Sequence, residues 1–144
     1  MIRVAFRYND DRFFARVVTW LRGGDSAHCE ASHIWRKEWH NCTSASFMDG
    51  GVRQKQIQLT ADKWRIYEIP GISVEDVDNW FRDNHDKKYD VVGLIGFVWR
   101  RIEGSSKRLF CSEAVADIMG LPTPHLYDLR TLESVCARFG RRIQ

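Results

Sequence analysis

In the stretch Leu109-Phe110-Cys111-Ser112-Glu113-Ala114-Val115-Ala116, a short apolar step leads directly into a helix-like segment, with Cys111 at the predicted helix start. The N-terminus of a helix presents backbone N–H groups and the positive end of the helix dipole. Both favour the thiolate over the thiol, and the thiolate is the nucleophilic form of cysteine. Cys111 is therefore a candidate nucleophile, and a nucleophilic thiol needs a base nearby.

The composition predicts a single globular domain that spans residues 1–144, because 44% of the residues are hydrophobic and 12% are aromatic. The formal net charge of +3 is mild. Basic residues gather near the C-terminus, where a solvated face is the favoured interpretation, so binding to nucleic acid is only weakly supported. Nothing in the pattern calls for a cofactor.

No stretch approaches the roughly 20 apolar residues of a membrane span. The N-terminus begins like a strand and not like a signal peptide, which predicts that the protein is cytoplasmic as synthesised, with its site of action open. The four cysteines (Cys29, Cys42, Cys111 and Cys136) form no CxxC pair, so free thiols are expected.

Hydrophobic periodicity and turn residues predict an α+β fold, in which helices pack against an antiparallel sheet. Five segments are predicted strands: Ile2–Tyr8, Ala27–Trp35, Cys42–Phe47, Val52–Leu59 and Trp64–Ile69. Five are predicted helices: Asn9–Leu21, Ser73–Phe81, Asp90–Val98, Cys111–Gly120 and Asp128–Phe139. Ser73 begins the second helix with a capping-type pattern.

His28 is the best candidate for the base that a nucleophilic Cys111 requires. The period of a strand places His28 and Glu30 on one face and Cys29 on the other. We expect the His28 face to meet the start of the Cys111 helix. Glu30 is the first candidate to orient the histidine ring, and Ser44 or Ser46 on the following strand are the alternatives.

Tyr89 is a candidate donor to a developing oxyanion, together with backbone N–H groups at the Cys111 helix start. The alternative, equally weighted, is a core aromatic with its hydroxyl at the rim. A metal site is a further alternative, because histidines and cysteines cluster early in the chain. Their spacing matches no common zinc pattern, so no metal is predicted. The cluster comprises His28, Cys29, His33, His40 and Cys42.

Several short motifs together carry a resemblance to a known family. Ser26-Ala27-His28-Cys29-Glu30 comes first, Tyr89-Asp90 follows, and Phe110-Cys111-Ser112-Glu113 comes last. This order resembles the circularly permuted branch of the NlpC-type papain-like cysteine peptidases and amidases, in which the histidine strand precedes the cysteine helix. Ser44-Ala45-Ser46 and Asp49-Gly50-Gly51-Val52 are also similar to the second strand and turn of small bacterial and phage-encoded members.

The resemblance implies a permuted papain-like fold and a thiol hydrolase that cleaves a peptide or acyl-amide bond, cell-wall peptides included. It implies Cys111 as nucleophile and His28 as base, while Glu30 and Tyr89 occupy motif positions. The third polar residue of such enzymes often lies on the strand after the histidine, where this chain offers only Ser44 or Ser46. Two alternatives remain: a non-catalytic binding or accessory module of the same fold, associated with a phage or cell envelope, and, more weakly, a nucleic-acid-associated factor.

Overall fold

The computed structural model describes residues 1–8, 26–89 and 108–144, and these residues form eight strands and three α-helices. The strands are β1 (Ile2–Tyr8), β2 (Ser26–Arg36), β3 (Trp39–Ser46), β4 (Gly51–Gln58), β5 (Trp64–Ile69), β6 (Lys88–Tyr89), β7 (Arg108–Leu109) and β8 (Arg141–Arg142). The helices are α1 (Val74–Asn84), α2 (Cys111–Ile118) and α3 (Leu129–Phe139), with a 3-10 turn at Pro124–Leu126. The predicted α+β class is confirmed.

All five predicted strands and three of the predicted helices are present; β1 and β5 have the predicted ends, and the ends of the others differ by a few residues. The first turn of α1 is closed as its sequence predicts, because the Ser73 hydroxyl accepts from the Asp76 backbone N–H and the Asp76 carboxylate accepts from the Ser73 N–H. Asp128 caps α3 by accepting from the Thr131 N–H. The helices predicted at residues 9–21 and 90–98 lie outside the described residues.

All eight strands join one sheet in the order β7-β6-β4-β3-β2-β1-β5-β8. Neighbouring strands are antiparallel except β6 and β7, which pair in parallel. The short parallel pair was not predicted, because two-residue strands leave no periodicity in the sequence. This pair brings the backbone of β6 close to Cys111, because β7 ends two residues before it.

The helices cover one face of the sheet. The main core cluster on this face includes Val4, Phe6, Ala31, Val115 and Leu132, all fully buried. Helix α2 contacts β2 and β3, and it meets the sheet through small side chains. Because Ala114 packs on Ala45 and Val52, the backbone of α2 can lie close to the strands.

A second cluster lies on the other face, where Ala5, Cys42, Leu59, Trp64 and Ile66 pack together. Cys42 on β3 and Ile66 on β5 are three strand spacings apart in the sheet order. A flat sheet would separate them by about 14 Å. The large side chains of Leu59 and Trp64 fill the space between them, and the residues of this cluster are removed from water.

Within the described part of the chain, no helix has both the length and the apolar character that a membrane crossing requires.

Candidate active site

Cys111 is the first residue of α2, as the sequence predicts. The preceding Phe110 is extended (φ −88°, ψ 162°) and provides no side-chain cap, and its carbonyl accepts the Ala114 N–H at 2.9 Å. The Glu113 carboxylate accepts from the Phe110 N–H at 3.4 Å. The Cys111 thiol thus lies at the positive end of the helix dipole, and the residue is only 4% exposed.

The start of α2 lies beside β2, where β2 no longer pairs with β3. The β2–β3 register ends at the pair Ala31 and Thr43, and beyond it the Ser44 hydroxyl donates to the Cys29 carbonyl at 2.7 Å. Cys111 lies close enough to both His28 and Cys29 to raise the pKa of each side chain. Because these consecutive residues point to opposite faces of the strand, a group that reaches both must lie at the strand edge.

The expectation that the His28 face meets the helix is therefore only partly right. The register pairs Cys29 with Phe6, on the face that the helices cover, whereas His28 pairs with Arg7 on the inner face. The body of α2 packs on the Cys29 face. Only its first residue reaches His28, because both residues lie at the same end of the sheet.

The His28 ring lies between the thiol and a carboxylate. Its Nε2 is 2.6 Å from Glu30 Oε1, and Cys111 is the other group that raises its pKa. Burial alone lowers the pKa of His28, but the negative charges of Glu30 and of the Cys111 thiolate, with hydrogen bonds to both groups, raise it from 6.5 to about 9. The imidazolium is therefore the stable form at neutral pH, and it can form an ion pair with the Cys111 thiolate.

Glu30 is fully buried and is the group that contacts the ring. Burial would raise the pKa of its carboxyl, but the His28 charge and hydrogen bonds from Arg53 and His28 lower it to about 2. The two serine alternatives bind other groups. Ser44 donates to the Cys29 carbonyl, and Ser46 hydrogen-bonds with Asp49.

Arg53 completes the environment of Glu30, and the sequence analysis missed it. Arg53 Nη1 donates to Glu30 Oε2 at 2.7 Å, and Nη2 donates to Oε1. On its other side, Nε donates to Asp49 Oδ2 at 3.0 Å, and Lys55 also contacts Asp49, at 2.7 Å. A chain of alternating charges thus runs from His28 to the half-exposed Lys55. The sequence does contain a signal for this contact. The turn at Asp49-Gly50 sets the register of the β3–β4 hairpin, and that register places Arg53 opposite Ser44.

Tyr89 lies in β6, where its backbone pairs with Leu109, two residues before Cys111. A hydrogen bond from β4 fixes the position of β6, because the Val52 N–H donates to the Lys87 carbonyl at 2.9 Å. The Tyr89 backbone is therefore close to the start of α2. Its side chain lies outside the described part of the structure, so its role as an oxyanion donor stays a prediction.

The other residues of the early histidine and cysteine cluster have separate partners. His40 Nδ1 is 2.8 Å from the Ser32 hydroxyl, and His33 Nε2 is 3.2 Å from the Gln54 amide nitrogen. The Cys42 thiol donates to the His40 carbonyl at 3.6 Å. Among residues 1–8, 26–89 and 108–144, no group of three or more His, Cys, Asp and Glu side chains is arranged to hold a metal ion.

Cys111, His28 and Glu30 thus meet in one site, although they come from a helix and a strand that are about 80 residues apart in the chain. The site joins a thiol, a histidine beside it and a carboxylate 2.6 Å from Nε2 of that histidine. Comparison of the chain with family models, with curated proteins and with solved structures gave no match.

Proposed function

We propose that the protein is a thiol hydrolase that cleaves an amide bond through an acyl-enzyme formed on Cys111. The observation that carries the proposal is the position of the His28 ring, with the Cys111 thiol on one side and Glu30 Oε1 2.6 Å from Nε2 on the other. A nucleophile, a base in contact with it and a group that orients the base are the three parts that nucleophilic catalysis requires.

The reaction begins from the ion pair of the Cys111 thiolate and the His28 imidazolium. The thiolate attacks the substrate carbonyl carbon and forms a C–S bond, while the carbonyl electron pair moves to oxygen. The dipole of α2 stabilises this oxyanion. When the intermediate collapses, the C–N bond breaks and His28 gives its proton to the leaving amine. A thioester remains on Cys111.

Hydrolysis of the thioester returns the site to its starting state. His28, now neutral, takes a proton from water, and the resulting hydroxide attacks the thioester carbonyl. The C–S bond breaks, the carboxylic acid product leaves and the thiolate–imidazolium pair reforms. Throughout, Glu30 holds Nε2 and stabilises the charged ring, so it keeps the ring turned toward the thiol.

We also propose that the fold is a permuted papain-like fold and that the substrates are peptides or acyl-amides, cell-wall peptides included. The order of the elements supports this, because the histidine strand β2 precedes the cysteine helix α2 and α2 packs on an antiparallel sheet. The motifs around His28, Tyr89 and Cys111 resemble those of the permuted NlpC-type branch, and the substrate class follows from that resemblance.

The test is labelling of the wild-type protein and the Cys111→Ala variant with a thiol-directed acyl probe. We expect label on the wild type and none on the variant. Cys136→Ala is the matched control, since Cys136 is a buried thiol on α3 whose burial raises its pKa to about 12. It should label like the wild type. Equal labelling of wild type and Cys111→Ala would refute the assignment of the nucleophile.

The second candidate is a non-catalytic binding module of the same fold. The low exposure of Cys111, 4%, favours it, because a nucleophile must be reached by its substrate. The rate of Cys111 alkylation against pH separates the two. An apparent pKa well below the value of about 8.5 for free cysteine supports the enzyme, and a value near it supports the binding module.

A further inference from the structure

We propose that Arg53 is a positioning residue, which holds the Glu30 carboxylate charged and correctly turned against His28. The inference rests on the proposed function, because it takes Cys111 and His28 as the reacting pair. The effect of Arg53 passes through Glu30 and then through the histidine ring.

Arg53 makes a bidentate contact with the Glu30 carboxylate. Nη1 donates to Oε2 at 2.7 Å, and Nη2 donates to Oε1, the oxygen that also accepts from His28 Nε2. Nη2 and Nε2 are 3.4 Å apart because both converge on this shared acceptor. With both oxygens held, the carboxylate plane cannot rotate away from the ring.

The register of the sheet explains how Arg53 reaches Glu30 from two strands away. Arg53 on β4 pairs with Ser44 on β3, and Ser44 follows Thr43, the partner of Ala31 on β2. Arg53 must therefore extend across the position of Ser44. Ser44 is small, and its hydroxyl is turned to the Cys29 carbonyl, so the long arginine side chain can pass.

Burial makes Arg53 necessary. Glu30 has no exposed surface, and a buried carboxylate that lacks sufficient partners takes up a proton. A protonated Glu30 would no longer attract the His28 proton, and the imidazolium would lose its main support. Asp49 secures the other edge of the guanidinium through Nε at 3.0 Å. Lysine, a point charge, cannot make this set of contacts.

Several other ionisable groups lie around this network. They are Arg7 beside His28 on β1, Cys29 on β2, Cys42 on β3, Lys55 and Asp49 at the β4 hairpin, and Cys111 at the start of α2. Asp49 hydrogen-bonds with Arg53, whereas Lys55 contacts Asp49. The matched control is therefore Lys55→Gln, which removes a positive charge from the same strand without touching Glu30.

The experiment measures the rate of Cys111 alkylation by a small haloacetamide against pH in the wild type, Arg53→Gln, Arg53→Lys and Lys55→Gln. If Arg53 keeps Glu30 ionised, its loss moves the acid limb of the profile up by about one pH unit or more, which lowers the rate at pH 5 by about tenfold. Arg53→Lys should lie between Arg53→Gln and the wild type, and Lys55→Gln should match the wild type. Arg53→Lys decides the test if Arg53→Gln does not fold.

The proposal would be overturned if a folded variant at position 53 gave the same pH profile as the wild type, even if that variant melted at a lower temperature. An equal shift in Lys55→Gln would also overturn it, because general electrostatics would then explain the effect. NMR titration of the His28 ring separates this failure from failure of the proposed function. A wild-type Cys111 with ordinary reactivity argues against the enzyme, whereas the response of His28 to Arg53→Lys still tests the role of Arg53.

Discussion

Replacement of Glu30 by glutamine should lower the pKa of His28 from about 9 to about 6.5 or below. In the wild type, burial alone lowers this pKa, and the charges of Glu30 and of the Cys111 thiolate more than offset it. Glutamine keeps the size of the side chain but removes the nearest negative charge, which lies 2.6 Å from Nε2. The imidazolium should therefore lose most of its stabilisation.

The pKa difference gives the size of the effect on stability. A group whose pKa is raised on folding stabilises the folded state fully below its unfolded value, here 6.5, and this contribution is lost as the pH rises through about 9. The difference between the two values corresponds to about 3 kcal/mol. Wild type should thus lose stability between pH 6.5 and 9 through His28, and Glu30→Gln should lose much less.

The assay is an NMR titration of the His28 ring protons, combined with urea unfolding at pH 6 and pH 9. Glu68→Gln is the control, because Glu68 is also buried and paired with arginines, Arg3 and Arg141, but lies on β5 away from the site. It should leave the His28 titration unchanged. A His28 pKa in Glu30→Gln within half a unit of the wild-type value would refute the reasoning.

Three further predictions concern the scaffold. Leu132→Ala, in a fully buried position of α3, should cost about 2–5 kcal/mol in urea unfolding, and a loss below 1 kcal/mol would mean that α3 is not part of the main core. Gly51→Ala would place a methyl group against the Lys87 carbonyl oxygen, so it should destabilise the protein by about 1–3 kcal/mol. Because Lys87 precedes β6, the variant should also reduce the rate of Cys111 alkylation. An unchanged rate would show that β6 does not position the start of α2. Ser73→Ala removes the cap of α1 and should cost about 1 kcal/mol in thermal unfolding, whereas an unchanged unfolding curve would mean that the cap does not stabilise the helix start.

The secondary structure was largely predictable because its signals are local. Alternation in Ile2–Tyr8 and Trp64–Ile69 predicts both strands with their observed ends. Ser73 and Asp128 predict the starts of α1 and α3, since each cap forms within one helical turn. The third strand was predicted to begin at Cys42 but begins at Trp39. Its first residues Trp39, His40 and Asn41 show no clear alternation in the sequence, and pairing with β2 and β4 extends it.

The candidate site was predictable where it depends on position along one element. The period of β2 places His28 and Glu30 on one face, and the sequence around Cys111 places it at a helix start. The preference for Glu30 over Ser44 followed from the stronger acceptor that a carboxylate provides. In the structure, Glu30 contacts the ring and Ser44 binds a backbone carbonyl.

Sequence alone determined the elements, the face of the strand that bears His28 and Glu30, and the cysteine at a helix start. These depend on periodicity and capping, which act over a few neighbouring residues. Only the tertiary structure decided that Arg53 crosses Ser44 to hold Glu30, and that Cys111 lies at the edge of β2 in contact with both His28 and Cys29. Those contacts depend on strand register and on where the β2–β3 ladder ends, and both are set by packing between residues far apart in the chain.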